Sequence, residues 1–273
     1  MKKIIRVFPR KTKGTPDDDL SFGRIDKPVG EADEIHVSVA FTYDLPLVDE
    51  IISTWRGRGE IMVGGPAYMD EEGDFVSGKY LKDGYTITSR GCPNRCWHCR
   101  VWRKNPALIE LPIIAGHIVQ DDNILACSHE HIENVFKMLK IQKDIVFSGG
   151  LDPELLKDWH LEKMNELKIK QLFTAYDNPR DLEPVANAAK LLNEHGYGIK
   201  NRKAFCYVLI GYPKDTIDVA EHRLKSVFKM GLIPFAMLYK DKNGETKKEW
   251  RKFQRLWANM FILMSTAKKM GLT

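Results

Sequence analysis

Hydrophobic positions along the chain recur at two spacings, the alternation of strands and the three-to-four-residue repeat of helices. In the first part, the pattern predicts strands at residues 3–8, 34–41 and 60–66, with a helix after Pro46. A strand, a helix and a strand in this order are typical of a parallel α/β layer. The polar run over residues 9–28 carries glycine, proline and three aspartates, so it is predicted to be a loop.

From residue 85 onward, strands alternate with amphipathic helices. The predicted strands cover residues 85–89, 117–121, 145–149, 171–176, 204–210 and 233–239. Right-handed crossovers return the chain to the same end each time, so the six strands are predicted to form a parallel, curved sheet. Residues 247–270 are rich in Trp, Phe, Leu and Met and predict one terminal helix packed on this core. Three parts are therefore expected: a small α/β region over 1–84, a core over 85–240 and a helical end over 241–273.

The composition indicates a soluble globular protein. The 273 residues are 43% hydrophobic and 29% charged, and no apolar run approaches the roughly 18–20 residues of a membrane span. The basic N-terminus lacks the apolar segment of a secretory signal, so we expect a cytoplasmic protein without a membrane partner. The net charge of +5 is modest and dispersed, which permits a nucleic-acid partner without supporting one.

Three of the five cysteines fall within eight residues, as Cys92-x3-Cys96-x2-Cys99. Three thiolates on one tight loop are soft ligands of the kind that iron–sulfur clusters use. A structural zinc site is the competing interpretation, with His98 or a remote cysteine as the fourth ligand. Against zinc, the chain has no second Cys-x2-Cys pair, because the remaining cysteines stand alone.

This loop resembles the signature of the radical S-adenosylmethionine (SAM) superfamily, including an aromatic residue, Trp97, just after the middle cysteine. The resemblance implies that Cys92, Cys96 and Cys99 hold a 4Fe-4S cluster whose open iron binds SAM. It also implies reductive cleavage of SAM to a 5'-deoxyadenosyl radical, with electrons from an external donor of the flavodoxin or ferredoxin type. The resemblance covers about residues 85–239, and the fold that it implies is a partial (β/α)6 barrel, an incomplete TIM barrel.

Ligands of parallel α/β folds bind beyond the carboxyl ends of the strands, which directs attention to the residues there. By the resemblance, an acidic residue after the second strand binds the SAM amino group, glycines let backbone approach the ligand, and the turn after the fifth strand receives the adenine. The residues expected to bind SAM are Asp121, Asp122, Ser148, Gly149, Tyr176, Asp177, Gly211 and Met237. The sequence assigns no catalytic residue and no substrate.

Residues 35–66 resemble part of the Rossmann-like cobalamin-binding domain that precedes many radical SAM cores. The Asp-x-His-x-x-Gly motif of that domain is missing, and the only histidine before the cysteine loop is His36. We therefore expect a structural layer that does not bind cobalamin. A hypothesis from another class also stands: a noncatalytic iron–sulfur or zinc protein whose N-terminal layer binds a partner.

Overall fold

A computed structural model describes residues 2–68, 76–241 and 244–269. The chain divides into two compact units, Met1–Tyr85 with Asp241–Gly244, and Thr86–Lys240 with Glu245–Thr273. Residues 69–75 of the predicted α/β region, and the last residue of the predicted terminal helix, Met270, lie outside the described residues. None of the described helices is long and apolar enough to cross a membrane.

The first unit is a parallel sheet with one helix. Its elements are β1 (Ile4–Phe8), β2 (Ser21–Gly23), β3 (Glu34–Ser38), a 3-10 turn (Thr42–Leu47), α1 (Val48–Trp55) and β4 (Glu60–Gly64). The strands lie in the order β2-β1-β3-β4, and each neighbouring pair is parallel. Helix α1 contributes Val48, Ile51 and Trp55 to an apolar core that also contains Ile35 and Val37. Burial of these apolar side chains is what stabilises so small a sheet.

Strand β2 lies inside the run that the sequence predicts to be a loop. It is three residues long and pairs with β1 from Arg6 to Phe8. Its middle residue, Phe22, contacts the edge of Trp55 with ring centroids 5.1 Å apart. One apolar residue between polar neighbours gives no periodic signal, so only the neighbouring strand defines this element.

The second unit contains the main sheet. In chain order its elements are β5 (Tyr85–Thr86), β6 (Ser89–Arg90), α2 (Val101–Lys104), β7 (Ile109–Glu110), β8 (Ile118–Val119), α3 (His129–Leu139), β9 (Ile145–Phe147), α4 (Asp158–Met164), β10 (Ile169–Ala175), α5 (Leu182–Glu194), β11 (Ala204–Ile210), α6 (Ile217–Lys229), β12 (Ile233–Leu238), α7 (Lys248–Ala258) and α8 (Met260–Lys269). Short 3-10 turns cover Ile124–Ala126, Pro179–Asp181 and Ile199–Asn201.

Six strands lie side by side in the order β12-β11-β10-β9-β8-β5, which follows the chain except that β6 and β7 are left out between β5 and β8. Strands β8 to β12 pair in parallel, and β6 and β7 form a separate antiparallel pair. A helix after each of β8, β9, β10 and β11 returns the chain to the starting end of the sheet. The predicted α/β fold with a main sheet of parallel strands is confirmed.

Local signals define several helix starts. Helix α3 begins at Ser128, whose Oγ accepts a hydrogen bond from the His131 backbone N–H at 3.2 Å. Helix α6 begins at Thr216, whose Oγ1 accepts from the Val219 N–H at 3.3 Å. Serine and threonine are residue types that favour this position. Cys206 is fully buried in β11.

The single terminal helix predicted over residues 247–270 is wrong, because the described part of this segment forms two helices. The break is Asn259, whose backbone is extended at φ −99° and ψ 117°. Its side-chain oxygen accepts the Phe261 N–H at 3.0 Å, as a helix N-cap does. The apolar pattern continues through Asn259, so the pattern alone does not show that the first helix ends there. The end depends on one local hydrogen bond between the Asn259 side chain and the backbone.

Candidate functional site

The cysteine loop leaves the antiparallel strand β6 through Gly91. This glycine has φ +91°, and a Cβ there would stand 2.1 Å from the Ala107 carbonyl oxygen. Only glycine fits so close an approach in this backbone conformation. Beyond it, the Cys99 N–H donates to the Cys96 carbonyl at 3.1 Å, and the Trp102 indole N–H donates to the same carbonyl at 2.9 Å. The loop is therefore a tight, internally bonded turn.

Two of the three thiols in this loop receive N–H donors. The Asn123 amide donates to Cys92 Sγ at 3.4 Å, and the Val101 backbone N–H donates to Cys99 Sγ at 3.4 Å. All three thiols are half-buried. N–H donors on cysteine sulfur stabilise the negatively charged thiolate, the form that binds metal.

The loop borders a cavity of about 510 Å³ at the carboxyl ends of β8, β9 and β10. The lining comes from the cysteine loop, from the segments after these strands and from one residue of β11. The residues are Cys92, Asn94, Arg95, Cys96, His98, Cys99, Val101, Asp122, Asn123, Gly149, Gly150, Leu151, Asp152, Pro153, Glu154, Thr174, Ala175, Asp177, Asn178, Arg180, Asp181, Pro184 and Tyr207. Ligands of parallel sheets bind at this edge, and the volume is that of a small-molecule site.

Buried polar atoms without a partner concentrate at this cavity. Among the described residues, seven buried side-chain atoms lack a hydrogen bond, and three of them belong to the lining: Asn123 Oδ1, Thr174 Oγ1 and His98 Nδ1. Asn123 is 3% exposed and Thr174 is 2% exposed. A buried polar atom without a partner costs free energy, so these atoms indicate that the cavity accommodates a ligand with complementary polar groups.

The carboxylates of the lining give the cavity an acidic character. Asp152 accepts from the side chains of Asn94 at 2.7 Å and Asn123 at 2.9 Å. Asp122 pairs with Arg90 at 3.1 Å and accepts the Gly91 N–H at 2.9 Å. Carboxylates outnumber basic side chains in this lining, which favours a ligand that carries a positive charge.

Side chains of the cysteine loop also contact residues of the segments after β10 and β11. His98 Nε2 lies 3.3 Å from Asp177 Oδ2, and the other oxygen of Asp177 accepts the Leu209 N–H at 2.9 Å. Trp97 donates its indole N–H to Asn178 at 3.2 Å and packs on Tyr212, with ring centroids 5.4 Å apart. The loop is thus fixed to the segments that follow β10 and β11.

Burial and neighbouring negative charge disfavour ionisation of two of the loop thiols, those of Cys96 and Cys99. Burial, followed by the thiolates of Cys99 and Cys92 and the carboxylates of Asp177 and Asp181, raises the pKa of Cys96 to about 11. Burial also raises the pKa of Cys99. Without a metal these thiols are protonated near neutral pH, whereas coordination to a metal deprotonates a thiol and releases the proton.

Within the described ranges, no three His, Cys, Asp or Glu side chains are grouped so that they could hold a single metal ion. A 4Fe-4S cluster attaches each thiolate to a different iron, so its ligands lie farther apart than those of one ion. Three soft thiols around one cavity, two of them with N–H donors, fit a cluster of this kind by donor chemistry.

Six of the residues singled out in the sequence line this cavity. They are Cys92, Cys96, Cys99, Asp122, Gly149 and Asp177. Gly149 sits where a Cβ would stand 1.9 Å from the Asp121 carbonyl oxygen, so its absence of a side chain serves the contact between the ends of β8 and β9.

Asp121, expected to bind an amino group, lies outside the cavity. It is 2% exposed, and its carboxylate accepts from the Thr88 N–H at 2.6 Å, from the Thr88 hydroxyl and from the Ser89 hydroxyl at 3.0 Å. Burial raises the pKa of this carboxyl, and the hydrogen bonds oppose that shift. The side chain therefore joins the segment after β8 to Ser89 of β6 and to Thr88, the residue before that strand.

Ser148, Tyr176, Gly211 and Met237 also lie outside the cavity. The Ser148 hydroxyl donates to the Val119 carbonyl at 3.0 Å, and Tyr176 is buried in the apolar core. Gly211 has φ +74°, and a Cβ there would stand 3.0 Å from the Trp250 ring, so this glycine accommodates α7. Met237 is 42% exposed on β12. Each of these four residues has a packing or backbone role that the strand pattern alone could not separate from ligand binding.

Asn123, Asp152 and Thr174 line the cavity but were not selected from the sequence. Asn123 directly follows the two selected aspartates, and Asp152 comes from the segment after β9. Their positions after strands were a usable signal. The contacts of two of them with the cysteine loop depend on distant chain segments, since Asn123 and Cys92 are 31 residues apart and Asp152 and Asn94 are 58 residues apart.

Comparison with known proteins supports the fold. No family model and no characterised protein sequence matches the chain. Among solved structures, the chain is similar to the radical S-adenosylmethionine methyltransferase TsrM from Kitasatospora setae with cobalamin and a [4Fe-4S] cluster bound, at TM-score 0.60 and 11% identity over 86% of this chain and 74% of that one. It is similar to the same enzyme with tryptophan substrate and the SAM analogue aza-SAM, at TM-score 0.60 and 10% identity over 87% and 72% of the two chains. The chain therefore shares the fold of these solved structures.

Proposed function

We propose that this protein is a radical SAM enzyme that holds a 4Fe-4S cluster on Cys92, Cys96 and Cys99. The observation that carries the proposal is that all three cysteines of one Cys-x3-Cys-x2-Cys loop border one cavity at the carboxyl edge of a parallel sheet. When bound, such a cluster supplies the electron that cleaves SAM to methionine and a 5'-deoxyadenosyl radical. The electron comes from an external donor of the flavodoxin or ferredoxin type.

SAM carries an ammonium group and a sulfonium centre, and an acidic cavity suits both charges. We assign the ammonium group to the side of the cavity where Asp122 and Asp152 lie beside the unpartnered Asn123 Oδ1. A carboxylate and an amide oxygen both accept hydrogen bonds from an ammonium group. Thr174 Oγ1, buried and unpartnered, can donate to or accept from a hydroxyl or carboxylate group of the same ligand.

The proposal does not extend to cobalamin. His36 is the only histidine before the loop, and both of its ring nitrogens already have partners: Nε2 lies 2.9 Å from Glu34 Oε2, and Nδ1 bonds the Tyr80 hydroxyl. A side chain held in this way cannot turn to coordinate cobalt without losing two buried hydrogen bonds.

The deciding experiment is anaerobic reconstitution with iron and sulfide, followed by reduction in the presence of SAM. We expect about four irons and four sulfides per chain, with a charge-transfer absorption that bleaches on reduction. Chromatography should then detect 5'-deoxyadenosine and methionine, even without the substrate.

Two controls and two alternative outcomes make this experiment decisive. A cluster-free sample fixes the background of 5'-deoxyadenosine, and equilibrium binding of SAM to Asp152→Asn tests the assigned ammonium site. A stoichiometric zinc content with no recoverable cluster would support the zinc protein instead. A stable cluster with no 5'-deoxyadenosine above background would support a noncatalytic iron–sulfur protein.

A further inference from the structure

Asn123 connects the cysteine loop to the sheet through one amide group. It follows β8 and begins the 3-10 turn at Ile124–Ala126, and it is 3% exposed. Its Nδ2 lies 2.9 Å from Asp152 Oδ2 and 3.4 Å from Cys92 Sγ. Among the hydrogen bonds that reach a sulfur of the loop in the described structure, this one comes from a side chain, whereas the Cys99 bond comes from backbone.

The orientation of the Asn123 amide follows from its neighbours. An ionised carboxylate such as Asp152 only accepts hydrogen bonds, so the amide nitrogen must face it. The same nitrogen has a second hydrogen, and Cys92 Sγ is the acceptor within its reach. A flipped amide would place its oxygen against the Asp152 oxygen, which is repulsive. The N–H···S contact is therefore required by charge.

We propose that Asn123 tunes the reduction potential of the cluster that Cys92 helps to hold. This inference rests on the proposed function. One electron from an external donor adds one negative charge to the cluster, no bond breaks, and no proton moves. The Asn123 N–H dipole points its positive end at the Cys92 sulfur, so it stabilises the reduced state more than the oxidised state. Asn123 is a positioning residue, since it acts through a ligand of the cluster.

Asp152 is negatively charged, whereas the amide hydrogens of Asn123 carry partial positive charge. Asp152 affects the Cys92 sulfur by orienting this amide. Its carboxylate fixes the Asn123 nitrogen next to the sulfur, and Asn94 of the loop supplies a second donor to that carboxylate at 2.7 Å. Loss of Asn94 therefore removes a bond to Asp152 without touching a sulfur. This makes Asn94 the matched control for Asn123.

The test is a potentiometric titration of the reconstituted full-length chain, followed by the electron paramagnetic resonance signal of the reduced cluster. Asn123→Leu keeps the side-chain shape but removes both N–H groups. We expect a more negative midpoint, such that the ratio of reduced to oxidised cluster at the wild-type midpoint falls by up to about tenfold, because the shift reflects only the part of the hydrogen-bond energy that favours the reduced state over the oxidised state. The Asn94→Ala variant should have the same midpoint potential as the wild-type protein.

The experiment distinguishes failure of the proposed function from failure of the tuning role of Asn123. If the wild-type chain assembles no cluster, the proposed function fails. If wild-type and Asn123→Leu hold the same cluster at the same potential, or if Asn94→Ala shifts it equally, the tuning role of Asn123 is overturned.

If Asn123→Leu assembles no cluster, Asn123→Ser is titrated instead, because its side chain is too short to reach the sulfur. A more negative midpoint in the serine variant supports the proposal. Loss of the cluster from both variants, with circular dichroism unchanged, would make Asn123 a requirement for cluster assembly and would overturn the tuning role.

Discussion

The first sheet ends after β3 and β4 in a turn that its own backbone closes, whereas the main sheet ends in a cavity. In the first unit, the Val39 N–H donates to the Gly64 carbonyl at 2.8 Å and the Ala67 N–H donates to the Val39 carbonyl at 2.9 Å. In the second unit, the corresponding edge leaves Asn123 Oδ1 and Thr174 Oγ1 buried and without partners. The contrast is confined to these two edges, because Ser21 Oγ and Trp55 Nε1, elsewhere in the first unit, are also buried without partners among the described residues.

Buried polar side chains show the same contrast. His36 of the first unit is 1% exposed, and its hydrogen bonds to Glu34 and Tyr80 are internal. Asn123 is nearly as deeply buried and lines the cavity, but its Oδ1 has no hydrogen-bond partner among the described residues. A satisfied buried group stabilises the fold, while an unsatisfied one is stabilised by binding a ligand. We therefore place ligand binding in the second unit, and the following predictions test that assignment from the largest expected effect to the smallest.

Replacement of Cys92, Cys96 or Cys99 by Ala should abolish the cluster, because a four-iron cluster cannot be retained on two thiolates of this loop. Iron and sulfide analysis after reconstitution measures the effect. Cys127→Ala is the matched control, since Cys127 is buried in the apolar core and does not line the cavity. Retention of a full cluster by any of the three loop variants would contradict the assignment.

Two glycine substitutions separate the closed edge from the open one. A Cβ at Gly149 would stand 1.9 Å from the Asp121 carbonyl oxygen, and a Cβ at Gly65 would stand 2.7 Å from the Val39 nitrogen. Each Gly→Ala change should destabilise the protein by about 1–3 kcal/mol, because backbone must move to make room. Denaturant unfolding measures this loss.

The two variants should differ in binding. Gly149→Ala displaces the segments that carry Asp122 and Asn123, so it should also lower SAM affinity and iron content. Gly65→Ala should leave both at the wild-type level. Equal binding losses in the two variants would break the contrast between the units.

His160 is expected to make the stability of the second unit depend on pH. Burial is the main cause that lowers its pKa from 6.5 to about 4. Its Nδ1 accepts the Lys157 N–H at 2.9 Å, which holds the ring in the neutral form. Because the folded-state pKa is depressed, the neutral ring's contribution is fully present above pH 6.5 and is lost as the pH falls towards 4.

The contribution of His160 is on the order of 2–3 kcal/mol across that window. Wild-type protein should therefore lose stability more steeply between pH 6.5 and 4 than His160→Gln. His129→Gln is the control, since its imidazole is mostly exposed. Parallel stability curves for wild-type and His160→Gln, from denaturant unfolding at each pH, would contradict this prediction.

The last prediction concerns cobalamin, for which we expect no binding. Protein mixed with hydroxocobalamin and then desalted should retain no corrin absorption, because His36 is already bonded on both ring nitrogens. The visible spectrum provides the measurement, and His36→Ala should give the same empty spectrum. Stoichiometric retention by the wild-type protein, lost in His36→Ala, would show a cobalamin site in the first unit.

Much of the fold could be predicted from the sequence, because its signals are local. Period-two and helical apolar patterns indicated the six strands of the main sheet and their helices. Strand β2 and the break at Asn259 were missed, since the first depends on pairing with β1 and the second on one side-chain hydrogen bond.

For the site, the sequence by itself determined the three thiols, because their spacing on one loop is a covalent property. Which neighbour serves the cavity was decided only by tertiary structure. Asp121, Asp122 and Asn123 are consecutive, yet one bonds Thr88 and Ser89, one pairs with Arg90, and one joins Cys92 to Asp152. The partners come from other segments of the chain, and a carboxylate or amide acquires its role from the groups that the fold brings within hydrogen-bonding distance.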